Sequence, residues 1–130
     1  HSFPTRRSSD LGFWAYGYDG EPVVLIDDFA GASSKLSLSA LLQLLDRYPV
    51  QVPIKGGHVW FYPQHIFVTT NIHPSGWYDF STRLDHYAAL ARRFTSVVRF
   101  RLDGPHEDLD PGEFFESQRP ERWQLPHLRG

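Results

Sequence analysis

The hydrophobic pattern divides the chain into short strand-like runs separated by two helical stretches. Val23-Val24-Leu25-Ile26 is a continuous apolar run, β-branched at three of its four positions, with Gly20 before it and Gly31 after it to supply turns. Such a run predicts a strand buried on both faces. Across residues 34–48, Leu38, Leu41, Leu42, Leu44 and Leu45 fall on one broad face at helical spacing, with Ser37 as N-cap and Pro49 as the stop. Residues 50–64 predict a hairpin. Its Gly56-Gly57 pair tolerates positive φ at both positions of a tight turn, and Pro53 belongs at an edge or unpaired position. Ile66-Phe67-Val68 predicts another strand, running into the polar triplet Thr69-Thr70-Asn71. Leu84, Tyr87, Leu90 and Ala91 predict a helix from about Thr82 to Arg92, and the alternation over 95–102 predicts a last strand. From Asp103 the chain turns acidic and is broken by Pro105, Pro111, Pro120 and Pro126, which predicts a mobile tail, with room for a short helical turn around Phe114 and Phe115.

The chemistry gathers at two strand ends. Asp27 and Asp28 directly follow the first apolar run. Ligands of parallel sheets bind outside the carboxyl ends of the strands. Magnesium prefers hard carboxylate oxygens and keeps most of its waters, so one acid on a rigid strand end can hold a nucleotide-bound ion. A second acid beside it can orient or deprotonate an attacking water. These are the requirements of a Walker B strand, and the stretch reads equally well as a buried strand followed by an acidic loop. The Asn71 carboxamide, at the end of the later strand, can hydrogen-bond both a γ-phosphate oxygen and a water. It would be a sensor lying beside the first strand.

Six blocks occur in order: Gly17-Tyr18-Asp19-Gly20, Val23 to Phe29, Leu44-Leu45-Asp46-Arg47-Tyr48-Pro49, Val52-Pro53-Ile54-Lys55-Gly56-Gly57, Ile66 to Asn71, and His73-Pro74 followed by Trp77-Tyr78. Together they resemble the helicase domain of the replication-associated (Rep) proteins of circoviruses and related viruses with circular single-stranded DNA. That domain is a superfamily 3 helicase, a branch of the AAA+ ATPases. The resemblance covers roughly residues 13–102, and an ordered set of blocks is far more specific than any one motif.

The resemblance implies an α/β fold, an AAA+/P-loop NTPase-like parallel sheet core with an inserted β-hairpin. It implies ATP and Mg²⁺ as cofactors, with Asp27 holding the metal, Asp28 activating water and Asn71 sensing the γ-phosphate. The hairpin would project into a ring channel, where Lys55 contacts phosphates of single-stranded or duplex DNA and His58 is a weaker partner. Gln64 stands where a second basic residue is usual. Arg93, with Arg92 as runner-up, would be a finger reaching the nucleotide of the adjacent subunit in a homo-oligomer, a hexameric ring in the full-length protein. Helix capping by these cations is the plainer reading of the same pair. The implied setting is the host nucleus, with no membrane partner. An RNA helicase-like NTPase of an RNA virus and a non-catalytic nucleic-acid-binding or assembly module are the alternatives.

Composition changes this picture in three places. The 130 residues, 41% hydrophobic and 15% aromatic, suffice for about one domain, and the formal charge of −2 gives no whole-domain basic footprint, so nucleic-acid contact must be local. There is no cysteine, which excludes disulfides and thiolate metal sites, and the seven histidines lack ligand spacing, so His73 reads as structural. There is also no methionine and no Gly-x-x-x-x-Gly-Lys-Ser/Thr loop. The expectation is therefore an N-terminally truncated fragment, inactive by itself. Residues 1–11 are polar and aperiodic and resemble a translated sequencing adapter, a non-native leader to be set aside.

Overall fold

The computed structural model describes residues 18–54 and 56–120. The leader, Trp14 and Tyr16 of the aromatic lead-in, Lys55 and the end of the expected tail (121–130) lie outside the described residues. The chain forms two compact units, residues 1–78 and 79–130.

In the first unit, β1 (Val23–Ile26) leads through a 3₁₀ turn at Gly31–Ser34 to α1 (Leu38–Leu44), and then to β2 (Val50–Ile54), β3 (Gly57–Phe61) and β4 (His65–Val68). β1 and β4 pair in parallel, with Val23 opposite His65 and Ile26 opposite Val68. β1 buries Val24 and Ile26, but Leu25 is half-buried and Val23 exposed. It is thus closed on one face and only partly on the other, where burial on both was expected. α1 is shorter than the leucine pattern predicts. Lys35 adopts a left-handed φ of 62° that ends the 3₁₀ turn, and only then does the Ser37 hydroxyl accept from the Ala40 N–H and start the helix. Leu38, Leu41 and Leu44 carry its buried stripe.

The hairpin forms where expected, but its turn is displaced by one residue. Ile54 pairs with Gly57, so the two-residue connection is 55–56, with Gly56 at φ 90°, rather than Gly56-Gly57. In the observed register Pro53 falls in the non-hydrogen-bonded pair with His58; a Gly56-Gly57 turn would move it to a hydrogen-bonded pair with Trp60, where a residue without an N–H weakens the ladder. Val52 and Phe61 point inward and are buried, while His58 and Trp60 lie on the exposed face. Tyr18 packs on Phe61 at 4.9 Å and donates its hydroxyl to the Glu21 carbonyl, which anchors the entry to β1.

The second unit holds α2 (Leu84–Arg92), an antiparallel pair β5 (Val97–Arg99) and β6 (Glu107–Leu109), and α3 (Pro111–Ser117). The expected last strand is thereby cut to three residues; in the stretch expected as tail, residues 107–109 form a strand and the helical turn expected around Phe114 and Phe115 is a helix, Pro111–Ser117. Two features account for this. Asp110 caps α3 by accepting from the Glu113 N–H at 2.9 Å, with Pro111 in the first turn where its missing N–H costs nothing. Phe115 is then buried against Tyr87 and stacked on Phe94 at 5.6 Å. Glu107 bridges Arg101 at 2.9 Å and Arg99 at 3.8 Å across the strand pair.

Candidate active site

The parallel register of β1 and β4 decides what meets at their carboxyl ends. Because Ile26 lies opposite Val68, the acids that follow β1 emerge beside the polar triplet that follows β4. Thr69 joins the two ends. Its N–H donates to the Ile26 carbonyl at 3.0 Å, and its carbonyl accepts from the Phe29 N–H at 2.7 Å. Its hydroxyl donates to Asp27 Oδ1 at 2.6 Å and accepts from the Asp28 N–H at 2.7 Å. Asp28 has φ 55°, a left-handed backbone that few residues other than glycine adopt, though aspartate is among those that do. This turn leaves Asp27 and Asp28 exposed at the strand edge and sends Phe29 into the core, 2% exposed.

Thr70 holds the next layer. Its hydroxyl lies 2.6 Å from the Phe29 carbonyl, accepts from the Ile72 N–H at 3.0 Å and receives the Trp77 indole N–H at 3.2 Å. Trp77 in turn meets Phe29 edge-on at 4.8 Å. The loop after β4 is thereby folded back under the β1 turn, and Asn71 is left exposed between two anchored residues. His73 plays the structural part expected of it, accepting from the Ser75 N–H at the start of the 3₁₀ turn Pro74–Gly76. Tyr78 donates its hydroxyl to the Leu36 carbonyl, and its burial pushes the phenol well above the usual tyrosine range.

The edge therefore brings Asp27, Asp28 and Asn71 to neighbouring strand ends, as the spacing of the two stretches predicts. It can offer a cation a hard oxygen: Asp27 Oδ1 is held by Thr69, and Oδ2 has no protein partner among the described residues. No cluster of three or more histidines, cysteines or acids that could hold a metal occurs among the described residues. An ion here would take its remaining ligands from water and phosphate, as magnesium does in nucleotide sites.

The other predicted residues belong to other elements of the chain. His58 is exposed on β3, opposite Pro53 and next to the hairpin turn, and Lys55 lies outside the described residues. Arg93 belongs to the second unit, where it ends α2 and its guanidinium donates to the Ala89 carbonyl at 2.8 Å. Arg92 is exposed in the last helical turn. Sequence reasoning gives Thr69 and Thr70 no role. The available signal is the Thr-Thr pair itself, two hydroxyls placed where two strand ends leave backbone groups to satisfy.

The family described as RNA helicase matches residues 1–72. The chain belongs to this family. It is 40% identical to the replication-associated protein of Porcine circovirus 2 over 88% of its own length and 35% of that protein. It is 43% identical to the replication-associated protein of Beak and feather disease virus over 76% of its length and 32% of that protein. The replication-associated protein of Avon-Heathcote Estuary associated kieseladnavirus is 34% identical over 89% of the chain and 26% of that protein. The chain thus spans about a third of the circovirus relatives it matches. The resemblance read from the six sequence blocks, to a Rep helicase domain, holds.

Proposed function

We propose that the chain is part of the ATP-dependent helicase of a viral replication-associated protein, which unwinds DNA during rolling-circle replication of a circular single-stranded DNA virus in the host nucleus. The observation that carries this is the Ile26–Val68 register, which sets two acids and a carboxamide on adjacent parallel strand ends. This is the arrangement an AAA+ sheet uses to face a nucleotide. DNA is favoured over RNA because the relatives are replication-associated proteins of circoviruses.

Each residue then has a task. Asp27 holds the Mg²⁺ of Mg·ATP through its outward oxygen. Bound Mg²⁺ neutralises charge developing on the phosphates. Asp28 orients and deprotonates the attacking water, its direction set by the left-handed turn. Asn71 hydrogen-bonds the γ-phosphate and the same water, so the site distinguishes a triphosphate from a diphosphate. Lys55 grips DNA phosphates, with His58 beside it. Arg93 reaches the neighbouring subunit's nucleotide in a ring; it must first release the Ala89 carbonyl, whereas Arg92 is already exposed.

These 130 residues contain no glycine-rich loop with its lysine to cradle the phosphates, so alone they should bind ATP weakly and hydrolyse almost none. The test uses a full-length Rep protein carrying this sequence and an upstream phosphate loop. Asp27→Asn and Asp28→Asn should each abolish Mg²⁺-dependent hydrolysis while the protein stays folded. Near-normal turnover in both variants would remove the Walker B assignment.

A further inference from the structure

Thr69 is unusual in how completely it is used. Its backbone N–H, its backbone carbonyl and both hydrogen-bonding roles of its hydroxyl are all engaged by residues 26–29 of the neighbouring strand end. A threonine in a strand end ordinarily needs only its backbone pairs. Here the hydroxyl bridges a carboxylate and the amide of the very next residue, and that next residue is in a left-handed conformation at φ 55°. The hydroxyl has a single proton, which goes to Asp27 Oδ1; its lone pair receives the Asp28 N–H. Both distances, 2.6 and 2.7 Å, lie at the short end of the range for such bonds.

We propose that Thr69 is the positioning residue of the acidic pair. Through one hydroxyl it fixes the rotamer of Asp27, so that Oδ2 faces a cation, and it stabilises the left-handed turn at Asp28, so that this carboxylate faces the water. The inference rests on the metal and water roles proposed above, and it assigns their geometry to a side chain that touches neither cation nor substrate. A group that hydrogen-bonds a ligating carboxylate commonly changes metal affinity by about 10–100-fold when removed. The methyl group of Thr69 has no part in this: a serine retains the function and a valine, of nearly the same shape, loses it.

The test is made on the 130-residue chain with two readouts that do not require turnover. The first is the intraresidue amide–Hα NOE of Asp28, strong when φ is positive. The second is paramagnetic broadening of the Asp27 and Asp28 amides by added Mn²⁺. Thr69→Ser should keep the NOE and the Mn²⁺ response. Thr69→Val should lose the NOE and weaken the Mn²⁺ response by about 10–100-fold. If Thr69→Val fails to fold, Thr69→Ala takes the same measurements. A valine or alanine variant that keeps both signals, or a serine variant that loses both, overturns the proposal. If the unmodified chain shows no Mn²⁺ response at all, the metal role of Asp27 fails, and the Asp28 NOE still decides whether Thr69 sets the turn. In a full-length protein with hydrolytic activity, Thr69→Val should lower kcat far more than it raises KM for ATP, and Thr69→Ser should restore it.

Discussion

Gly31 lies directly under the backbone of Trp77: a Cβ added to Gly31 would stand 2.1 Å from the Trp77 carbonyl oxygen and 2.4 Å from its Cα. That carbonyl also accepts the Ala32 N–H at 2.8 Å, so it cannot move away without breaking a bond. Gly31 has φ 71° as well, a conformation that costs a residue with a side chain about 1–3 kcal/mol. Gly31→Ala should therefore destabilise the first unit by at least about 2 kcal/mol, from strain and clash together. Thermal or urea unfolding reads this directly, and an unchanged midpoint would show that the backbone around Trp77 yields to the added methyl group.

Alkaline pH should act through Tyr87. Its hydroxyl donates to the Phe115 carbonyl at 2.6 Å, and burial, reinforced by Glu116 and opposed by Arg119, pushes its phenol up to about 12 from the ordinary value of 10.0. The folded form therefore keeps a proton that the unfolded chain releases. This group's contribution is fully present below pH 10.0 and is lost as pH rises toward about 12. Subtracting the phenolate absorbance titration of Tyr87→Phe from that of the unmodified chain should leave one group titrating near pH 12. The variant should lose about 1 kcal/mol at neutral pH from the missing hydrogen bond. A difference curve centred at the ordinary tyrosine value would contradict the buried placement.

Much of this architecture is legible in the sequence where a residue type answers one local need. Gly20 and Gly31 read as turn residues, and both have positive φ. Ser37 reads as a cap and caps α1. Apolar runs alone place Asp27, Asp28 and Asn71 at two strand ends. What the pattern hides depends on partners far apart in the chain. The Thr69–Asp27 bond spans 42 residues, and no periodicity reports it. The turn at 55–56 rather than 56–57 keeps Pro53 out of a hydrogen-bonded pair with Trp60 on the facing strand. The ordered stretch 107–117 is masked by its charge and prolines, although Asp110-Pro111 with Glu113 is a helix start in plain view and Phe115 supplies the buried contact.

The arginine finger is testable by mixing subunits. If Arg93 acts across an interface in a ring, Arg93→Ala and Asp27→Asn full-length chains, each inactive, should regain part of the hydrolysis when combined, because some interfaces then hold one intact half from each. The same experiment with Arg92→Ala tells which of the pair serves. Verified mixed rings with no recovery for either would return both residues to holding the end of α2.

Lys55 and Lys35 are the only lysines in the chain. In a full-length helicase, Lys55→Ala should weaken single-strand DNA binding equally across sequences, since phosphate contacts position without reading bases. The slope of log affinity against log salt should flatten by about 0.7 for each phosphate that is no longer neutralised. Unwinding should stop while basal ATP hydrolysis persists. Binding, salt slope and unwinding that all survive would make the hairpin an ordinary surface turn.

The two ends of the β1–β4 pair are tied to different things. At one end, the Gln64 and His65 N–H groups both donate to the Pro22 carbonyl, which fixes the foot of the hairpin to the start of β1. At the other end, Thr69 fixes the acids to the end of β4. Only four residues, about 13 Å at strand rise, separate the two attachments. With the roles proposed above, the nucleotide faces one end of this strand pair and the foot of the hairpin is tied to the other. A shift at the phosphates would then be felt at the hairpin foot through the doubly bonded Pro22 carbonyl as well as along the chain itself.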